Sequence, residues 1–177
     1  MRCNVVEKRL NAPLLEWSDG LVLGEATMDE THREFVDLLN RVVAAPESEL
    51  LAGLDEFITH TEAHFGQEER WMQEFAFPPL HCHQGEHSNV LEIMREVRKR
   101  VAAGETHLGR TLAEAIAEWF PQHAGSMDAV LSLYMKQIGY LPGGDNAVVL
   151  ATITPSDAPA CAPGADACGH TAPVEEE

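Results

Sequence analysis

Histidine and carboxylate side chains recur through the middle of this 177-residue chain at the spacing of one helix face. His64 and Glu68 are four residues apart, and so are His83 and His87. Residues four apart lie one above the other on a helix, so both side chains of each pair point the same way. Burying an imidazole with a carboxylate is costly unless a charge or a hydrogen bond meets them. The pair His64 and Glu68 alone fits either a metal site or a satisfied core histidine beside a solvated glutamate.

Three more polar side chains fall on apolar stripes of the sequence. His32 lies on the first predicted helix, and His123 and Asp128 lie on the fourth. Each of four predicted helices therefore brings at least one imidazole to a common interior, which chance does not readily produce. Metal sites in helix bundles are built from facing helices, and imidazoles with carboxylates suit iron, zinc or copper.

The number of candidate ligands favours a pair of irons over one metal ion. Two octahedral ions offer about twelve coordination positions. The imidazoles would take about five of them, two bridging carboxylates about four, and a shared oxo or hydroxo group about two. If both carboxylates bridge, one position stays open, and that vacancy suits reversible binding of a small diatomic ligand.

Four amphipathic stretches predict the elements that would position these side chains. Their apolar residues recur at steps of three and four, which is typical of helices buried on one face. The predicted bounds are 27–45, 47–75, 83–103 and 106–138. The short connections between them predict an all-α fold, an up-down-up-down four-helix bundle.

Residues near the ends of these stretches support the boundaries. Thr27 and Glu30 form a capping-box pattern where the first helix should begin. The run 77–79, with its two prolines, should end the second helix, and Gly139 should end the fourth. Pro121 lies inside the fourth helix, where it predicts a kink.

Composition divides the chain into three parts. Residues 1–26 predict an arm that lies against the domain, with Trp17 packing it down, and residues 27–140 form the predicted bundle. Residues 141–177 are rich in Ala, Pro and Gly and contain no Lys or Arg, so they predict a disordered acidic tail. Only the run 147–150 alternates enough to suggest a strand.

Charge and composition restrict the classes of partner. The net charge of -17 argues against nucleic acid or an anionic membrane surface as a partner. No apolar run approaches the length of a membrane span, and the N-terminus lacks the apolar stretch of an export signal. The four cysteines are scattered and predict no disulfide framework, so a reducing cytoplasm is the expected compartment.

The tail carries its own candidate groups. Cys161, Cys168 and His170 are spaced too loosely to favour a soft-metal site. The acidic tail remains a candidate docking segment for an unidentified protein partner.

The order of the polar side chains is similar to a known pattern. His, then His-x-x-x-Glu, then His-x-x-x-His, then His-x-x-x-x-Asp resembles the hemerythrin family, and closely the single-domain bacterial hemerythrins. The acidic pair Asp29-Glu30 ahead of the first histidine and Trp119 ahead of the last one also match. The resemblance covers about residues 17–140. All seven ligand positions are filled, by His32, His64, Glu68, His83, His87, His123 and Asp128.

The resemblance implies a function for this set. The three later histidines would hold one iron, and His32 and His64 would hold the other. Glu68 and Asp128 would bridge the two irons together with an oxo or hydroxo group. Dioxygen would bind reversibly at the two-histidine iron, for oxygen storage, delivery or local sensing.

A ligand pocket lined by Trp119, Phe120 and Ala124 follows from the same resemblance, with Met127 nearby. These side chains provide no proton donor for turnover, which favours a binding protein over an enzyme. The family usually has a bulky aliphatic residue where this chain has Ala124, so the pocket should be wider unless Phe120 fills it. The alternative is a di-iron enzyme or sensor that acts on peroxide, nitric oxide or iron status.

The spacing of the last two ligands requires a distortion. His123 and Asp128 are five residues apart, so an ideal helix would turn the carboxylate away from the face of the histidine. Gly125 and Ser126 are expected to allow the local change.

The remaining histidines are assigned no ligand role. His60 is expected to be partly exposed, and His107 to lie at the surface where the fourth helix begins. A zinc site from His81 and Cys82 with the neighbouring histidine pair is the weaker hypothesis, because that pair already belongs to the larger pattern.

Overall fold

The computed structural model describes residues 13–152, and within that range every regular element is helical. The helices are α1 (Ala26–Ala44), α2 (Leu50–Glu74), α3 (Leu80–Ala102), α4 (His107–His123), α5 (Ala129–Ile138) and α6 (Ala147–Thr152). A 3-10 turn, Asp19–Leu21, precedes α1, and a π-helical turn, Ala124–Asp128, joins α4 to α5. Across this range no helix has an apolar stretch long enough to cross a membrane.

Four long helical units form the bundle, because α4, the π turn and α5 run on as one unit. Helix α1 packs on α2 and on α4, and α3 packs on the same two helices. Each unit therefore contacts its neighbours in sequence, and the last returns to the first. This up-down-up-down arrangement confirms the all-α four-helix bundle that the apolar spacing predicts.

A polar layer divides the apolar core of the bundle into two clusters. The first cluster contains Phe35 of α1, and the second contains Met28, nearer the start of the same helix. His32 lies between them and is fully buried. Glu68 has the same position on α2, between side chains of the two clusters. Close packing on both sides of this layer keeps water out of it.

The start of α1 differs from the predicted capping box. The helix begins one residue before Thr27, and the Glu25 carboxylate accepts a 2.7 Å hydrogen bond from the Met28 backbone N–H. The Asp29 carboxylate accepts bonds of 2.7 and 2.9 Å from two N–H groups of the preceding turn. The prediction that Thr27 and Glu30 form the cap was wrong, because Glu25 is the N-cap residue and its own carboxylate accepts the Met28 N–H.

The other helix bounds move by a few residues. Helix α2 begins at Leu50, since residues 47–49 form a turn. Helix α3 begins at Leu80, directly after Pro79, rather than at residue 83. Proline favours helix starts because its missing N–H would have no partner there and its φ suits the helix.

The first part of the predicted tail is structured. Asn146 is buried, its amide nitrogen donates to the Leu141 carbonyl at 2.8 Å, and its side-chain oxygen accepts from the Leu141 N–H at 2.8 Å. Residues 147–152 form α6, so the strand-like interpretation was wrong, and two of its side chains pack on the second apolar cluster. The sequence predicted disorder from residue 141, but the hydrogen bonds of Asn146 and the packing of α6 on the second apolar cluster hold residues 141–152 against the bundle. The cysteines and histidine of the tail lie outside the described residues.

The arm before α1 lies against the bundle from residue 13 onward. The Asn40 side chain accepts a 2.8 Å hydrogen bond from the Leu14 N–H and donates one of 2.8 Å to the Leu15 carbonyl. Trp17 packs on the first apolar cluster, as predicted, and the Arg33 guanidinium lies 4.8 Å from its ring centre. These contacts attach the arm to α1.

Gly139 ends α5 in the left-handed conformation, with φ of 74°. A side chain there is strained, so Gly139→Ala should lower the free energy of unfolding by about 1–2 kcal/mol. The matched control is Gly85→Ala in α3, where an added Cβ meets nothing within 4 Å. It should raise the free energy of unfolding by about 0.5–1 kcal/mol. Urea unfolding followed by circular dichroism measures both, and a Gly139→Ala variant as stable as the wild type would contradict the role of Gly139.

Candidate metal centre

All seven predicted ligand residues lie in one buried cluster at the polar layer of the bundle. Helices α1 to α4 each contribute at least one imidazole, and the π turn contributes Asp128. None of the seven is more than 4% exposed. Ionisable side chains at this depth require charged or hydrogen-bonding partners.

Glu68 divides its two oxygens between histidines from different helices. Its Oε1 lies 3.1 Å from His64 Nε2 and 3.6 Å from His32 Nε2. Its Oε2 lies 3.5 Å from His83 Nε2 and 3.4 Å from His87 Nε2. One carboxylate therefore faces two pairs of imidazoles, one pair from each oxygen.

Asp128 divides its oxygens in the same way. Its Oδ2 lies 3.3 Å from His32 Nε2. Its Oδ1 lies 3.0 Å from His83 Nε2 and 3.2 Å from His123 Nε2. Both carboxylates thus lie between the same two sets of rings.

The donor atoms fall into two groups as a result. One group has the Nε2 atoms of His32 and His64 with one oxygen from each carboxylate, and the other has three Nε2 atoms with the remaining two oxygens. Ligands at right angles to one another, each about 2.1 Å from an ion, are about 3.0 Å apart. The observed separations of 3.0–3.6 Å are close to that spacing.

Nine buried nitrogen and oxygen atoms of this cluster make no hydrogen bond within the part of the chain that the structure describes. They include both oxygens of Asp128 and the Nε2 atoms of His32 and His83. Each unpaired buried polar atom costs about 1–3 kcal/mol. Imidazole nitrogens and carboxylate oxygens that converge in this way are suitable ligands for divalent transition metals. The residues present therefore fit a metal centre.

The protonation of the cluster shows the same need for positive charge. Burial lowers the pKa of His32 and of His83, but contacts with Asp128 and Glu68 outweigh it and raise each pKa to about 9. Burial lowers the pKa of His87 to about 3. Burial also raises the pKa of both carboxyl groups, but the surrounding imidazoles outweigh it and hold each pKa well below its usual range. In the metal-free protein, protons on two rings balance the carboxylates, and metal binding releases such protons.

The π turn decides where Asp128 points. Residues five apart on an ideal α-helix are separated by about 140° around the axis. The wider turn at Ala124–Asp128 brings the Asp128 carboxylate back beside the His123 ring. The distortion predicted at Gly125 and Ser126 is confirmed, and both residues are exposed on the outer side of the turn. Single π turns of this kind occur often at functional sites.

Aromatic rings hold two of the imidazoles in place. Phe65 stacks on His87, with ring centroids 3.8 Å apart and planes within 1° of parallel. Trp119 stacks on His123, with centroids 4.5 Å apart. Phe65 was not predicted to have a role in the site, and its position beside His64 is the one signal that the sequence offers.

The three predicted pocket residues lie on different sides of the centre. Phe120 is fully buried, and its ring meets His32 edge-on with centroids 5.2 Å apart. Ala124 is fully buried in the same apolar cluster. Trp119 is half-buried and contacts His123 instead, on the three-histidine side.

The other described histidines lie outside the centre. His60 is half-buried, and its Nε2 lies 3.3 Å from the Thr31 carbonyl. His107 is exposed at the first position of α4, as predicted. His81 and Cys82 are exposed, while the histidine pair that follows them faces the buried carboxylates.

A family model covers the part of the chain that contains this centre. Residues 23–132 match the family described as the hemerythrin HHE cation binding domain. This chain belongs to the hemerythrin family. The matched segment includes all seven candidate ligands.

Relatives named bacteriohemerythrin agree with this membership. The protein of Ralstonia nicotianae is 47% identical over 127 residues, which cover 72% of this chain and 93% of the relative. The protein of Stenotrophomonas maltophilia is 31% identical over 127 residues, covering 70% and 82%. The protein of Aquifex aeolicus is 28% identical over 123 residues, covering 66% and 92%. The similarity thus covers most of each relative.

The stability of the metal-free protein should depend on pH through the centre. His32 and His83 have a pKa of about 9 in the fold and an ordinary value of 6.5. Protons bind these two rings more tightly in the folded state, and this binding stabilises the fold. The stabilisation is complete below pH 6.5 and is lost as the pH rises through 9. In the presence of a chelator, the free energy of unfolding should therefore decrease as the pH rises from 6.5 to about 9.

Denaturant titrations at a series of pH values measure this fall. His81→Asn, which alters an exposed histidine outside the centre, should keep the wild-type profile. A wild-type free energy of unfolding that is flat or rises over the interval would contradict the protonated state described for His32 and His83.

Proposed function

We propose that this chain is a non-haem di-iron protein that binds dioxygen reversibly, for storage, delivery or sensing of oxygen. The observation that carries the proposal is the division of the Glu68 and Asp128 oxygens between two groups of imidazoles. A carboxylate placed in this way is suited to bridge two ions side by side. Membership in the hemerythrin family supports iron as the metal.

The two proposed iron positions have unequal ligand sets. Two imidazoles, from His32 and His64, and two carboxylate oxygens would serve one position, whereas three imidazoles and two oxygens would serve the other. If an oxo or hydroxo group bridged two octahedral ions with about six positions each, one position would stay open on the two-histidine side. The reduced iron pair, when bound, supplies the electrons that dioxygen accepts.

The chain's own side chains keep water from the two-histidine side. Phe120 covers the edge of His32, and Phe35 lies against Phe120 with centroids 4.5 Å apart. Phe35 also meets the ring of His64 at 5.8 Å, and both phenylalanines are fully buried. A dry, apolar wall disfavours the entry of water and protons, so it favours release of dioxygen unchanged.

A binding role is favoured over turnover. Enzymes that reduce dioxygen or peroxide need a side chain that delivers protons to the reacting atoms. His60 is the titratable ring beside His64, with centroids 6.2 Å apart, but its Nε2 is directed at the Thr31 carbonyl. A di-iron enzyme or sensor acting on peroxide, nitric oxide or iron status is the second candidate. The position of the titratable His60 ring beside His64 is the observation that favours it.

Admitting oxygen to the reduced, iron-loaded protein tests the proposal. A visible charge-transfer band should appear with oxygen and disappear on purging, at about two irons per chain. Asp128→Asn should hold less iron, because it weakens a bridging ligand, whereas the exposed control His107→Ala should match the wild type. Immediate and irreversible passage to the oxidised spectrum would refute reversible binding and favour the enzyme.

Phe120 should control how long the oxygenated protein lasts. Phe120→Leu opens space beside His32, so water should enter and spontaneous oxidation should be faster by on the order of tenfold. Phe75→Leu is the matched control, since Phe75 is also fully buried but packs on aromatic rings of the second apolar cluster. The decay of the oxygenated band at fixed oxygen concentration measures both, and equal rates would contradict the protective role of Phe120.

A further inference from the structure

Glu69 follows Glu68 on α2 but points away from the centre, toward the outer side of α3. Its Oε1 lies 3.9 Å from His87 Nδ1, and its Oε2 accepts a 3.0 Å hydrogen bond from Gln84 Nε2. Gln84 and His87 are three residues apart and share one face of α3. The amide of Gln84 therefore holds the Glu69 carboxylate beside the outer nitrogen of His87.

The two ring nitrogens of His87 have different surroundings. Nε2 faces the centre, 3.4 Å from Glu68 Oε2 and 3.1 Å from His123 Nε2. A neutral imidazole that offers Nε2 to a metal carries its proton on Nδ1. The Nδ1 atom of His87 is buried and makes no hydrogen bond, which is costly for an N–H group. This N–H requires an acceptor, and the Glu69 carboxylate is the group beside it.

His87 differs from the other rings of the centre in this respect. Among residues 13–152, His87 is the only histidine of the centre whose outer nitrogen, Nδ1, lies within 4.0 Å of a carboxylate oxygen. The parallel stack on Phe65, at 3.8 Å, restricts the plane of its ring and so keeps Nδ1 directed outward. The three-histidine group therefore contains one ring, His87, with a carboxylate beside its outer nitrogen as well as one beside Nε2.

We infer that Glu69 is a positioning residue that accepts the Nδ1–H of His87. A shift of the carboxylate by about 1 Å brings Glu69 Oε1 and His87 Nδ1, now 3.9 Å apart, to hydrogen-bond distance. An acceptor at this atom fixes the orientation of the ring and makes Nε2 a stronger donor to a metal. The inference rests on the proposed function, because it takes His87 as a metal ligand. Its consequences are tighter metal binding and a lower reduction potential for the iron on this side.

Glu69→Gln tests the inference, since it removes the charge and preserves the shape of the side chain. The matched control is Glu92→Gln, which removes the same charge from an exposed position on α3. Competition with a chelator for zinc should show binding about 10- to 100-fold weaker in Glu69→Gln and near wild type in Glu92→Gln. The reduction potential of the iron-loaded protein should be more positive in Glu69→Gln than in Glu92→Gln.

The outcomes separate this inference from the proposed function. Wild-type protein that binds fewer than about two zinc ions per chain would refute the di-metal centre itself. If the wild type loads fully and Glu69→Gln behaves like Glu92→Gln, the role of Glu69 is refuted and the centre stands. Denaturation of metal-free Glu69→Gln is the second measurement: an unfolding free energy equal to that of the wild type supports positioning. A loss of stability as large as the loss of metal binding would overturn it in favour of a general structural role.

Discussion

Two buried carboxylates determine the interior of this bundle. Glu68 and Asp128 are almost wholly excluded from water, and the charge of Asp128 opposes ionisation of Glu68. Two carboxylates at this depth are unfavourable unless positive charge faces them. All the imidazoles of the layer point Nε2 atoms at these oxygens, so four helices must keep a common register around them. Protons on His32 and His83 meet this requirement in part, and bound metal ions would take the place of such protons.

Helix geometry supplies most of the centre without strain. Spacings of four residues place His64 with Glu68 on α2, and the corresponding histidine pair on one face of α3. The last pair, His123 and Asp128, cannot meet on an ideal helix, and the π turn is located between them. The departure from regular structure is thus confined to the place where ligand spacing requires it, while apolar clusters on both sides keep the layer dry.

The two sides of the centre have different surroundings. The two-histidine side is covered by fully buried phenylalanine rings, among them Phe120, which disfavour water beside His32 and His64. The three-histidine side lies nearer the surface, where half-buried Trp119 covers one ring and Glu69 with Gln84 approaches another. An apolar wall on one side would suit the neutral diatomic ligand of the proposed function, and polar neighbours on the other would adjust the electron density of a bound metal ion.

The amino-acid sequence by itself determined the helices, the candidate ligands and the need for a distortion before Asp128, because each depends on spacing along a single helix. The tertiary structure decided how the carboxylate oxygens divide between the two groups of imidazoles, since that depends on the relative positions of four helices. It also decided that Trp119 lies on the three-histidine side and that Glu25 caps α1. Asn146 pairs with the backbone of its own turn and α6 packs on the second apolar cluster, and a composition rich in Ala, Pro and Gly does not reveal such contacts.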